Sequence, residues 1–171
     1  MEIKYVSKIK MYQESRKKEI VSNKFGDRIL SPQMLNAVGR HFLLGDVRET
    51  MLCIALNTKN EIIAVYPAFT GTINTMIVST REIMQFALLN NANTIALIHN
   101  HPSGNSKPSE EDINFTKRMA MACSLMKIPL IDHLVVSDDD YSSIRSYDAA
   151  IFDPVGDKEI KQLLAAERDI N

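Results

Sequence analysis

Apolar residues fill Met51-Leu52-Cys53-Ile54-Ala55-Leu56 without a break, the pattern of a strand covered on both faces. Glu49 opens that strand, Thr58-Lys59-Asn60 supply a turn, and Glu61 to Phe69 return as a second strand. Residues 49–69 therefore read as a hairpin, with Gly71 starting a loop. Thr94-Ile95-Ala96-Leu97-Ile98 predicts another buried strand, and IPLIDHLVV over 128–136 a further one, followed by an acidic turn and the short segment YSSIRS. Near the start, residues 3–11 alternate Ile3, Tyr5, Ser7, Ile9 and Met11 against a lysine-rich face, as an edge strand does, and 12–30 reads as a polar connection.

Helical spacing fills the gaps. Ser31-Pro32 forms an N-cap and first helical residue, Leu35, Val38 and Phe42 follow on one face, and Gly45 is the stop. Ser79 and Glu82 make a capping box ahead of Ile83, Phe86, Ala87 and Asn90. Ser109 caps a third helix whose first turn carries Glu110, Glu111 and Asp112, and whose apolar stripe is Ile113, Met119 or Ala120, Cys123 and Met126. Residues 157–168 predict a last amphipathic helix. The order β–α–β–β–α–β–α–β–β–α implies an α/β fold, a mixed sheet flanked by helices. We divide the chain into an N-terminal edge strand, connection and helix (1–44) packed on a main domain (45–153), with a helical tail at 154–171.

Composition narrows the class. The chain has 171 residues, 45% of them hydrophobic and 24% charged, enough for one ordinary core. No apolar run reaches the roughly 18 residues a membrane span needs. The start has no signal-like apolar segment, and Cys53 and Cys123 sit in apolar surroundings without metal-type spacing. A reducing, cytoplasmic setting with free thiols is the expectation. Net charge is −1, so nucleic acid as a partner has weak support, confined to the excess of lysine and arginine between Lys4 and Arg28.

The chemistry concentrates in HNHPSGNSKPSEED. His99 and His101 are two apart at a strand end and project to one side, and Asp112 adds a carboxylate beyond a Gly/Pro/Ser-rich loop. Two imidazoles and a carboxylate suit one catalytic Zn2+ per chain that keeps an open position for water. Ser109, three residues before Asp112, is either a helix cap or a donor to a developing oxyanion, or both. Glu49 is the leading general base, with Glu61 and Glu82 as rivals. Asp132 and His133 point to opposite faces of their strand and stand behind the ligands, orienting one of them or a loop. His41 reads as a surface or packing residue.

A glutamate followed downstream by H-x-H-x(7)-S-x-x-D resembles the JAMM (MPN-plus, JAB-type) metalloprotease signature. HNHPSG, PSEED, IDHLVV, YSSI and GTINTMIVSTREI resemble its RadC-like branch, over about residues 45–146. The resemblance implies a cytidine-deaminase-like α/β/α fold, zinc on His99, His101 and Asp112, Glu49 as acid/base and Ser109 on the oxyanion side. It implies a zinc peptidase or isopeptidase acting on a peptide or protein of unknown identity. The RadC-like branch carries a DNA-repair label by naming, yet residues 1–44 do not resemble the helix-hairpin-helix region of its full-length members. A non-catalytic or DNA-metabolism-associated interaction module is the alternative function. Deamination ranks below these, since neither cysteine lies in the P-C-x-x-C motif that chemistry uses, and so does a metal-dependent nuclease. Nothing in the residues fixes oligomeric state.

Overall fold

The computed structural model describes residues 28–71 and 79–153. The strand expected over 3–11, nearly all of the connection after it, and the helix expected over 157–168 lie outside the described residues. Ser31 is extended and its hydroxyl accepts from the Met34 N–H, with Pro32 at the first helical position, so α1 spans Pro32–Leu43. Gly45 follows at φ +80°, the left-handed stop expected there.

β1 (Glu49–Leu56) and β2 (Ile62–Gly71) make an antiparallel pair around Asn60, which adopts φ 61°. β2 runs past the predicted end: Thr70 and Gly71 pair with Thr50 and Glu49, so Gly71 closes the strand instead of opening a loop. Ser79 caps α2 (Thr80–Leu89). β3 (Thr94–Asn100) also outruns its apolar pattern. His99 and Asn100 join the sheet opposite Val135 and Val136, because ladder hydrogen bonds depend on backbone partners and not on side-chain polarity. Then come α3 (Glu110–Leu125), β4 (Leu130–Val136), β5 (Tyr141–Ser143), the single turn α4 (Ile144–Tyr147) and a 3-10 turn at Ala149–Phe152.

Among the described residues the sheet has five strands in the order β2-β1-β3-β4-β5, with β3 and β4 parallel and the other neighbours antiparallel. It is the mixed sheet with flanking helices that the element order implies. Alternation divides the core in two. Met51, Cys53, Ala55, Ile95 and Leu97 face α2 and α3, where they meet Ile83, Ala87, Phe115, Met119 and Cys123. Leu52, Ile54, Leu56, Ala96 and Ile98 face α1, against Leu35, Val38 and Leu43. Both cysteines are buried and free, and burial pushes their thiols up, Cys123 to about 12. The buried stripe of α3 is Asp112, Phe115, Thr116, Met119, Ala120 and Cys123. Met126, predicted on that stripe, caps the helix and is 46% exposed. No helix among the described residues is long and apolar enough to cross a membrane.

α1 packs closely on the sheet at Gly39. A Cβ there would stand 2.8 Å from Ile98 Cγ2 and 3.3 Å from Val136 Cγ1, both on buried branched side chains. Gly39→Val should therefore cost about 1–3 kcal/mol by overpacking. The reading is a lower urea midpoint at unchanged slope; an unshifted midpoint would mean that α1 is not pinned to β3.

Candidate metal centre

Three segments end at one corner of the sheet. β3 delivers His99 and, one residue past its end, His101. β1 runs antiparallel to β3 with Met51 opposite His99, so its first residue, Glu49, stands beside the same strand end. The connection to α3 is short and braced. The His101 N–H donates to Val136 O (2.9 Å), and the Gly104 N–H to His101 O (3.1 Å), with Gly104 at φ +80° where side chains are disfavoured. The Ser106 hydroxyl reaches Asp140 Oδ2 at 3.3 Å.

α3 begins on a reciprocal cap. The Asp112 N–H donates to Ser109 Oγ (3.1 Å), while the Ser109 N–H and hydroxyl donate to Asp112 Oδ2 at 2.7 and 2.6 Å. One motif therefore both starts the helix and aims the carboxylate. The positive end of the helix dipole adds to the preference for an anion there.

His99 Nε2 lies 3.0 Å from His101 Nε2 and 3.2 Å from Asp112 Oδ1, and His101 Nε2 is 3.4 Å from Asp112 Oδ2. Ligands about 2.0–2.1 Å from a tetrahedral ion stand about 3.3 Å from one another, and these separations are of that size, with Asp112 meeting His99 through Oδ1 and His101 through Oδ2. His101 Nδ1–H donates to Asn105 O at 2.8 Å, which leaves its Nε2 lone pair for the cluster. Two imidazole nitrogens facing each other beside a carboxylate need a proton or a cation between them. Glu49 brings a carboxylate oxygen to within 4.8 Å of the other ligand atoms, completing a Glu49-His99-His101-Asp112 group that could hold a metal ion. His99 and Asp112 are buried, whereas His101 and Glu49 are half-buried and form the open side.

Burial alone would raise the Asp112 carboxyl, but hydrogen bonds with His101, His99 and Ser109 override it and hold it far below the carboxylate range. The same Asp112 bond raises His101 above its ordinary 6.5. In the metal-free protein the stabilisation from this raised histidine is present below pH 6.5 and lost as pH rises through the folded value. A bound metal needs the unprotonated ring, so its affinity rises over the same interval. Chelator-treated protein should lose melting temperature as pH rises above 6.5, with the loss reduced in His101→Ala, while metal protection grows with pH. Equal pH profiles for the wild type and His101→Ala would refute the coupling.

The structure thus brings together Glu49, His99, His101, Ser109 and Asp112. His133 stands directly behind, its Nε2 2.8 Å from His99 Nδ1. Asp132 does not touch the ligands. Its carboxylate accepts from the His133 N–H, the Arg145 N–H and the Ser143 hydroxyl, fixing the turn from β5 into α4. β4 carries an irregularity ahead of His133, where Ile95 pairs with Leu130 but Leu97 with His133. Glu61 instead accepts from Asn57 Nδ2 at 2.7 Å, and Glu82 lies in the first turn of α2. Neither joins the group.

Sequence reasoning missed two residues. Asn100 faces away from the ligands, yet its amide accepts from the Thr50 N–H (2.8 Å) and donates to Arg48 O (3.0 Å) and Asp46 O (3.2 Å). It clamps the backbone on both sides of Glu49. Thr116 lies in the buried stripe of α3 against His133. Its signal in sequence is only a hydroxyl four residues after Asp112, one helical turn.

The family model for the RadC-like JAB domain matches residues 29–149, from just before α1 into the 3-10 turn. The chain belongs to the RadC-like JAB domain family. It is 40% identical over 130 residues to a UPF0758 protein of Clostridium kluyveri, covering 75% of this chain and 57% of that protein. It is 42% identical over 122 residues to one from Enterococcus faecalis (71% and 52%), and 44% over 103 residues to one from Streptococcus sanguinis (60% and 45%). The chain thus spans about half the length of the curated relatives it matches. The matched region contains every residue of the metal group.

Proposed function

We propose that this chain is a zinc-dependent hydrolase of amide bonds, a peptidase or isopeptidase. The observation that carries this reading is the convergence of the His99, His101 and Asp112 donors at 3.0–3.4 Å, with Glu49 on the open side. One soft-to-borderline ion on two imidazoles and one carboxylate is a catalytic zinc set, and bound zinc supplies Lewis acidity together with a water acidic enough to attack at neutral pH. Glu49 takes the proton from the attacking water and passes it to the leaving amine nitrogen. Ser109 contributes by turning its hydroxyl from Asp112 toward the oxygen of the attacked carbonyl, where negative charge gathers.

A cavity of about 450 Å³ starts at Ser109 and continues along Ile113, Ser142 and Tyr147. It borders β5, the outermost strand of the sheet among the described residues, so an extended peptide has both a groove and a strand to lie against. The substrate is accordingly a segment of polypeptide.

Zinc titration of metal-free protein, followed by incubation of the loaded protein with a broad peptide library, tests this reading. One zinc per chain and cleavage that stops on chelation are expected. Stoichiometric zinc without cleavage would favour a binding module, and absence of zinc binding would end the proposal.

A further inference from the structure

Behind the metal group, hydrogen bonds run from His99 back to the main chain of the other buried ligand. Thr116 Oγ1 lies 2.6 Å from Asp112 O and 2.7 Å from His133 Nδ1, and His133 Nε2 lies 2.8 Å from His99 Nδ1. All the side chains in this path are buried, with Thr116, His133 and His99 at zero exposure.

The proton positions follow from donor counting. A carbonyl only accepts, and a hydroxyl has one proton, so the Thr116 O–H donates to Asp112 O. At 2.7 Å the facing His133 Nδ1 must then carry a hydrogen and donate to Thr116 Oγ1. His133 is fully buried and its ring nitrogens meet Thr116 and His99 rather than a carboxylate, so an imidazolium there would be a buried charge without a counter-ion; the ring is neutral and its Nε2 is a bare acceptor. His99 must therefore donate from Nδ1–H to His133, which leaves the His99 Nε2 lone pair pointing at His101 and Asp112.

We propose that Thr116 and His133 are positioning residues: one hydroxyl proton, anchored on the Asp112 carbonyl, sets the tautomers of His133 and His99 in turn and presents His99 Nε2 to the metal. The role of this relay rests on the metal-centre reading above, but its proton arrangement exists without metal. The same Thr116 hydroxyl bonds the backbone of Asp112, so the relay couples the orientation of one ligand to the placement of another. Neither end depends on a surface group, and the arrangement is pre-formed before any ion arrives.

Nitrogen-15 imidazole spectra of metal-free and zinc-loaded protein read the tautomers directly. Protonated Nδ1 and bare Nε2 are expected for His133 in both states, with Nδ1–H on His99. Thr116→Val keeps the shape of the side chain but removes the hydroxyl; it should lower zinc affinity roughly 10–100-fold and disturb the His133 tautomer. Thr116→Ser keeps the hydroxyl and should restore both. A proton on His133 Nε2 in the wild type, or unchanged zinc affinity in a folded Thr116→Val, would overturn the relay. Should Thr116→Val not fold, the wild-type spectra still decide. Tautomers as stated in a protein that binds no zinc would sink the hydrolase reading and leave the proton arrangement standing.

Discussion

Asp112→Asn should abolish zinc binding while leaving the domain folded. The substitution is chosen for its shape, since Asp112 has two roles that must be separated. As the fourth member of the Ser109 box it accepts from the Ser109 N–H, and an alanine there would lose a cap worth about 1 kcal/mol. An asparagine oxygen can still accept that bond. What disappears is the negative charge beside His99 and His101, and with it the anionic member of the ligand set. In the wild type, free zinc at 100 times its dissociation constant adds about 2.7 kcal/mol. At about 2–4 °C per kcal/mol for a domain of this size, the melting temperature should rise roughly 5–11 °C. Asp112→Asn should show no such rise and no bound metal on elemental analysis. A variant that bound zinc as tightly as the wild type would remove Asp112 from the ligand set and the proposed centre with it.

The parts of this centre legible in sequence are those with a local cause. Ser31-Pro32 and Ser109-x-x-Asp112 announce helix starts because capping is a contact between residues three apart. Met51 to Leu56 announces a strand covered on both sides because a six-residue apolar run bounded by polar residues is strand length and too short for a helix. The H-x-H spacing and the nearby carboxylate are legible for the same reason, as neighbours in the chain. What escapes is whatever a distant partner decides. The extension of β3 through Asn100 and of β2 through Gly71 depends on the strands alongside. The irregularity in β4 that brings Leu130 and His133 to the α2/α3 side is set by pairing with β3, not by the composition of IPLIDHLVV. Thr116 looks like a polar residue beside an apolar stripe, and Asn100 like a spacer between two histidines. Only the fold shows that one meets His133 and the other encloses Glu49. The site thus divides into ligands written along the chain and supports written across it.

Glu49→Gln should keep zinc and lose turnover. The carboxylate lies within 4.8 Å of the other ligand atoms, is half-buried and, unlike that of Asp112, forms no ion pair with His99 or His101 among the described residues, so it borders the group from the side open to water. Glutamine has the same length and keeps a hydrogen-bonding oxygen, but it cannot take up a proton. Removing a positioned general base costs typically 10²–10⁴ in rate, about 2.7–5.4 kcal/mol of barrier. The loss should fall on kcat, because the residue acts on a proton in flight and not on binding of the peptide. Zinc affinity should stay near wild type, since the close ligand triangle is intact and Asn100 still holds the backbone at Arg48 and Thr50. The two measurements together discriminate between roles. Zinc kept and turnover lost identifies a proton carrier. Zinc lost identifies Glu49 as a fourth ligand, which would close the position the attacking water needs. Zinc and turnover both kept would place the base elsewhere, and no other carboxylate among the described residues belongs to this metal group.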